Sequence, residues 1–301
     1  MRKVAIIGST SFLAKKLIEK LAKEDLVIEF WNRNPSKNEF LFNYPNSIPD
    51  VKVLASFDAI LYLAGEGVQS NQKPSFENLY GINTITPINL IAQLRDLNFK
   101  GAFISFGSYF ELGKTTASTA ANEEDIIYSS NPAFNEYCKS KHLLSHFIQK
   151  QLDEELSFSL LHFIIPNMYG KGENENRLLP YVVKNIRQQS PLYLSHGAQV
   201  RQFLHVSDLT NFLCWRLRES KFESGIYNLG SKQIMSVATL VERTVGVAKK
   251  LGFELPKIEF GKAERLDAQA SYLVLDDQKA KMELGWKAEK DMDESIKEYF
   301  E

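Results

Sequence analysis

The sequence predicts an α/β fold, a doubly wound parallel sheet covered by helices on both faces, with a smaller α/β carboxy-terminal lobe. Three observations carry this expectation. Short apolar runs alternate with segments of helical period through the first half of the chain. The first run passes through a glycine directly into a helix, and after Pro166 glycine, asparagine, serine and proline become frequent while the strands shorten.

"KVAIIG" (3–8) is an apolar run closed by glycine and reads as a buried strand. "FLAKKLIEKLAKE" (12–24) places apolar residues at 13, 14, 17, 18 and 21, one face of a helix. "LVIEFW" (26–31), "DAILYLAG" (58–65) and "GAFISFG" (101–107) supply the second, third and fourth strands. "ITPINLIAQLRDL" (85–97) reads as an intervening helix, with Pro87 tolerated only in its first turn. A long helix follows over 131–152, then the buried strand "FSLLHFII" (158–165). Beyond it "PLYL", "GIYNLG" and "KIEF" are short strands between helices. The expected lobes are therefore 1–165 and 166–301, with some elements of the second returning to the main sheet.

The 301 residues suffice for a full core, and 44% apolar with 24% charged residues is ordinary for a soluble globular chain. A formal net charge of −1 gives no basic field for nucleic acid or an anionic membrane. Two cysteines, Cys138 and Cys214, make neither a disulfide framework nor a metal cluster. The five histidines are scattered, so no metal is expected. No run approaches a membrane span, and the four apolar residues before Gly8 are too few for a signal peptide. The expected location is cytoplasmic.

"VAIIGSTSFLAKKL" sets strand, turn and helix in immediate succession, the context in which a glycine turn binds a dinucleotide. Gly8, Ser11 and Ala14 stand at the spacing of a GxxGxxG turn, small at each position. The N–H groups around Ser11, Phe12 and Leu13 at the helix start would face a pyrophosphate. The second strand ends in Trp31-Asn32-Arg33-Asn34 without the acid that usually holds the ribose of NAD. Arg33 could pair a 2′-phosphate, which favours NADP with NAD as the alternative.

From these residues onward the chain resembles the extended short-chain dehydrogenase/reductases, the NAD-dependent epimerase/dehydratase family acting on nucleotide sugars, which have a Rossmann-type fold. "DAILYLAG" resembles the strand whose end passes the cofactor, which implies cofactor contacts for Leu63, Ala64 and Gly65. "YGINTITPINLI" resembles the next helix and implies the same for Asn83, as "PNMYGKG" does for Pro166. "GAFISFGSYFELG" resembles the strand end bearing the catalytic Ser/Thr and maps it to Ser108. "NEYCKSK" supplies the Tyr-x-x-x-Lys pair as Tyr137 and Lys141. "GAQVRQFLHVSDL", "GIYNLGSKQIMSV" and "LDDQKAKMELGW" match later family segments in order. The resemblance implies diphosphate contacts for Asn167 and Arg201, a second clamp at Arg265, and substrate contact at Ser108 and Tyr109. It also implies a homodimer, paired through the helices at 85–97 and 134–152. The family's arginine before the "PNMYG" segment is replaced by Ile164.

Carbonyl–alcohol interconversion needs a proton donor beside the carbonyl oxygen and a hydride donor on its carbon. Tyr137 and Lys141 lie one helical turn apart on one face, where a cation can stabilise phenolate. Family dehydratases carry Asp-Glu directly after the catalytic Ser/Thr. Here Tyr109 and Phe110 stand there, which disfavours dehydration and leaves reduction or epimerisation. The region further resembles the CDP-abequose and CDP-paratose synthases, which implies NADPH-dependent 4-keto reduction of a nucleotide-linked 6-deoxy or 3,6-dideoxy hexose. An epimerase with tightly bound NAD is the alternative, and a non-catalytic dinucleotide-binding scaffold a third. His205 and Asp208 read as structural.

Overall fold

The computed structural model describes residues 2–67, 74–218, 222–263 and 269–301. The chain begins with β1 (Arg2–Ile7), α1 (Phe12–Leu21), β2 (Leu26–Asn32), β3 (Phe40–Leu41), α2 (Val51–Leu54) and β4 (Ala59–Tyr62). Next come α3 (Phe76–Tyr80), α4 (Thr86–Asp96), β5 (Ala102–Ser108), α5 (Glu123–Ile127), α6 (Glu136–Leu152) and β6 (Ser159–Ile165). The remainder is β7 (Asn167–Tyr169), α7 (Leu178–Gln188), β8 (Leu192–Tyr193), β9 (Val200–His205), α8 (Val206–Arg218) and β10 (Gly225–Asn228). It closes with β11 (Ile234–Ser236), α9 (Val237–Lys250), β12 (Ile258–Glu259), β13 (Tyr272–Leu273), α10 (Gln278–Leu284) and α11 (Met292–Lys297).

Seven strands form the main sheet in the order β3-β2-β1-β4-β5-β6-β10, all pairs parallel. The order reverses at β1, so a crevice opens at the carboxyl ends of β1 and β4, where open parallel sheets bind ligands. Alternating residues explain why these strands are apolar throughout. Ala5 and Ile7 of β1 enter one hydrophobic cluster, while Val4 and Ile6 enter the other on the opposite face. β6 divides in the same way, Leu160 and Ile164 against Leu161 and Phe163. A third cluster, with Tyr169, Leu179, Val182, Leu240 and Val241, lies under the residues after Pro166. β10 leaves that region and completes the main sheet beside β6, while β11, β9, β13 and β7 form a separate small sheet.

Three boundaries differ from the sequence expectation, each for a local reason. α1 stops at Leu21 rather than residue 24, capped by Ala22. The helix expected from 131 starts at Glu136, because the Asn135 side chain accepts from the N–H of Cys138 and caps it there. Ahead of α4, Gly81–Ile85 is a turn of π-helix, which hydrophobic periodicity does not announce.

Candidate active site

Gly8 ends β1 with φ +90, and a Cβ there would lie 2.4 Å from the backbone nitrogen of Ala64. Only glycine lets β1 and the end of β4 approach this closely. Ser11 then caps α1, its hydroxyl accepting from the N–H of Ala14 at 3.2 Å. Gly8, Ser11, Arg33, Ala64 and Gly65 line one cleft of about 120 Å³ with Thr10, Asn32, Phe42, Tyr44 and Ile82. A glycine cradle, a helix amino terminus and a flanking apolar wall are what a dinucleotide's pyrophosphate and adenosine require, so the residues fit the cofactor. The Leu13 side chain is buried in the core and Phe12 packs against it, which leaves only their backbone toward the start of α1. Leu63 is likewise buried, and Pro166 is buried between β6 and β7.

Asn83 corrects the sequence expectation. It is 0% exposed, so it offers no side-chain surface to a ligand. Its Oδ1 accepts from the N–H of Glu66 at 2.9 Å, and its Nδ2 donates to the carbonyl of Glu66 and to Ser140 Oγ. Ser140 Oγ donates to the Tyr137 carbonyl, and Thr84 Oγ1 donates to the Ser140 carbonyl. Asn83 thus ties the loop carrying Ala64 and Gly65 to the helix carrying Tyr137. The π-turn at Gly81–Ile85 holds it in that place.

Ser108 is the last residue of β5 and caps the 3-10 turn Tyr109–Leu112. Tyr137 lies in the first turn of α6, half-buried, with the Ser108 hydroxyl beside its phenol. Burial pushes the phenol up, and the neighbouring Cys138 and Glu111 act in the same direction. The Ser108 hydroxyl and the Arg177 guanidinium oppose this by favouring phenolate. Lys141 stands one turn on, 7% exposed, its Nζ donating to the carbonyl of Phe106 at 2.9 Å. Burial lowers its ammonium to about 8, and Glu111 works against that fall. Two elements therefore bring Ser108, Tyr137 and Lys141 together: a strand end, and the first two turns of a capped helix.

The second group of expected residues fares less evenly. Tyr109, expected at the substrate, is 1% exposed and packs in the core edge-on to Phe110. The 3-10 turn after Ser108 rotates its ring inward. Arg201 is 1% exposed on β9 and donates from Nη1 to the Val200 carbonyl at 2.7 Å, so its guanidinium is enclosed by the small sheet rather than presented to solvent. Asn167 begins β7, half-buried, beside Phe203 of β9. Arg265 lies outside the described residues. Arg33 is exposed and hydrogen-bonds the Glu66 carboxylate, so an acid stands beside it after all, supplied by the β4 loop. His205 bonds Ser207 and packs on Tyr169, and Asp208 accepts from the N–H of Lys290.

Sequence reasoning missed Glu111, His162 and Arg177. Glu111 and His162 stood inside apolar runs, where only their being polar at buried strand-adjacent positions could have marked them. Arg177, just before α7, is held by Glu173 at 2.7 Å, and Glu173 also receives the Tyr299 hydroxyl. No group of three or more His, Cys, Asp or Glu that could hold a metal occurs among the described residues, and none of their helices is long and apolar enough to cross a membrane.

A Rossmann-type sheet, a glycine cradle at its switch point and a Ser/Tyr/Lys cluster beside it define the class: a dinucleotide-dependent oxidoreductase of the extended short-chain dehydrogenase/reductase type. The sequence profile of the NAD dependent epimerase/dehydratase family matches residues 4–230, and the chain belongs to that family. CDP-abequose synthase of Salmonella muenchen is 22% identical over 98% of this chain and 96% of its own length. The structure of MoeE5 in complex with UDP-glucuronic acid and NAD superposes with a TM-score of 0.80 at 19% identity, covering 98% of this chain and 96% of that one. RMD from Pseudomonas aeruginosa complexed with NADPH gives a TM-score of 0.73 at 19% identity, covering 99% and 97%. Neighbours of this fold bind either nicotinamide dinucleotide.

Proposed function

We propose that the protein reduces the 4-keto group of a nucleotide-linked 6-deoxy or 3,6-dideoxy hexose with NADPH, Tyr137 donating the proton. The observation that carries this reading is the convergence of Ser108, Tyr137 and Lys141 beside the cofactor cleft with no free acid following Ser108. Of the three residues after Ser108, Tyr109 is buried, Phe110 is apolar, and the Glu111 carboxylate is engaged by the Ser108 N–H at 2.6 Å. None is available for the general acid–base work of dehydration. Bound NADPH supplies a hydride. The chain's own residues then act on the other half of the reaction: Ser108 orients the substrate oxygen, Tyr137 delivers a proton to it, and Lys141 holds positive charge beneath the site. The resemblance to CDP-abequose synthase supports a deoxyhexose substrate.

In this reading residues 1–165 bind the cofactor and residues 166–301 the nucleotide sugar, with Asn167 and Arg177 on the diphosphate and sugar side. The protein acts as a homodimer through α4 and α6, on whose outer faces Leu143 and, just ahead of α4, Ile85 are exposed. A specific observation favours a second reading, an epimerase with tightly held NAD. The Glu66 carboxylate beside Arg33 could accept from the ribose hydroxyls in place of the missing strand-end acid.

Cofactor release after purification, followed by turnover of CDP-, dTDP-, GDP- and UDP-linked 4-keto hexoses with NADPH, tests the proposal. Oxidation of NADPH matched to ketone loss supports it. Copurified NAD with C4 inversion and no NADPH consumption replaces it with the epimerase, and binding of neither dinucleotide rejects both.

A further inference from the structure

Beneath Ser108 and Lys141 lies a polar chain that the proposed chemistry does not itself use. Glu111, 3% exposed, accepts at Oε1 from the N–H of Ser108 at 2.6 Å and at Oε2 from the hydroxyl of Ser145. Ser145 Oγ also meets His162 Nε2 at 2.9 Å, and His162 Nδ1 meets Ser105 Oγ at 2.8 Å. Ser105 and Ser108 come from β5, Lys141 and Ser145 from α6, and His162 from β6. Three elements are therefore stitched behind the site.

The donor directions decide the charge. A hydroxyl has one hydrogen, and that of Ser145 goes to Glu111 rather than to the more distant Lys141 carbonyl at 3.3 Å; Ser145 then accepts from His162 Nε2–H, and His162 Nδ1 accepts from Ser105. Burial and the nearby Lys141 hold His162 neutral, lowering it to about 3, which this arrangement requires. Both Glu111 oxygens are then acceptors, the pattern of a carboxylate rather than a carboxylic acid. Burial raises the Glu111 carboxyl above the usual carboxylate range, and the Ser145 hydroxyl, the Ser108 N–H and the Lys141 ammonium work against that rise. Tyr137, Cys138 and His142, also on α6, are the other titratable groups of this region. Gly107 shows how closely the chain is fitted: a Cβ there would stand 2.7 Å from both Glu111 Oε1 and His162 Nε2.

We infer that Glu111 is a positioning residue of the active site, anchoring the backbone of Ser108 and serving as the buried counter-charge of Lys141. Through it the Lys141 ammonium survives in a dry site, and Ser108 is held at a fixed height against Tyr137. The inference rests on the reading of Ser108, Tyr137 and Lys141 as the reacting cluster.

Glu111→Gln keeps the size and the acceptor for Ser108 but removes the charge. Lys141 titration, followed by the pH dependence of its acetylation by acetic anhydride and peptide mass spectrometry, reads the effect without a substrate. The wild-type midpoint is expected near 8, and in Glu111→Gln it falls by about one unit or more, as loss of a nearby opposite charge dictates. The basic limb of the rate profile moves down equally, and kcat falls about 10-fold or more with KM little changed. Ser145→Ala weakens the carboxylate while keeping Glu111, and the midpoint moves the same way by less; it serves if Glu111→Gln does not fold. An unchanged Lys141 midpoint in a folded Glu111→Gln or Ser145→Ala protein overturns the inference. Full turnover in Tyr137→Phe instead overturns the underlying reading, and the midpoint result still judges Glu111 independently.

Discussion

At the scale of the residue, the proposed site sets a proton donor and a cation against unequal burial. Tyr137 is held protonated by its dry setting, which suits a donor, while Ser108 and Arg177 ease the passage to phenolate. Tyr137→Phe removes the transferable proton without changing the ring, and turnover is expected to fall about 10²–10⁴-fold with the cofactor affinity retained. Fluorescence titration with NADPH beside a stopped assay separates the two. Arg33 and Glu66 form the other decisive pair. Arg33→Ala is expected to weaken NADPH binding about 10-fold or more and leave NADH nearly unaffected, because only a 2′-phosphate gains from the guanidinium. Equal losses for both dinucleotides would remove the NADP reading.

At the scale of the element, what matters is how strand ends and helix starts are locked in register. Gly8 needs both its positive φ and its missing Cβ. Gly8→Ala therefore costs about 1–3 kcal/mol from strain alone, read as a lower melting temperature together with weaker dinucleotide binding. Asn83 joins the β4 loop to α6 through three hydrogen bonds. Asn83→Ala removes the partners of the half-buried Glu66 backbone, and a loss of about 1–3 kcal/mol in chemical denaturation is expected. The strands and long helices were legible from apolar period and capping residues. The π-turn was not, because Gly81–Ile85 carries no period of its own and exists to aim Asn83 at two elements distant in sequence. The inward turn of Tyr109 escaped for the same reason: a strand-end alternation says nothing of the 3-10 turn that follows it.

At the scale of the whole molecule, the buried polar chain couples the stability of the fold to pH. His162 is lowered to about 3 by burial, against 6.5 in the unfolded chain. Between those values the unfolded state binds a proton that the folded state refuses. Stability is therefore lost as pH falls from 6.5 toward 3, by up to about 1.4 kcal/mol per pH unit. His162→Gln is expected to flatten that part of the curve in denaturation followed by circular dichroism, whatever its effect near neutrality. The strand order β3-β2-β1-β4-β5-β6-β10 supplies the frame in which this happens, and β10 closes it although it comes from far along the chain.

The sequence by itself determined the α/β class, the succession of strands and helices, the strand–glycine–helix turn at Gly8, and the family. It also singled out Ser108, Tyr137 and Lys141. These are local: apolar period, capping and spacing are written in neighbouring residues, and the family's motifs fall in order along the chain. Tertiary structure alone decided that Asn83 is a tie, that Tyr109 and Arg201 are enclosed, that Arg33 has Glu66 beside it, and that Glu111 and His162 are joined through Ser145 behind the site. Each of those outcomes depends on burial and on partners tens of residues away. Solvent exclusion makes an unpaired polar or charged side chain costly, and only the packed fold shows which residue partners it.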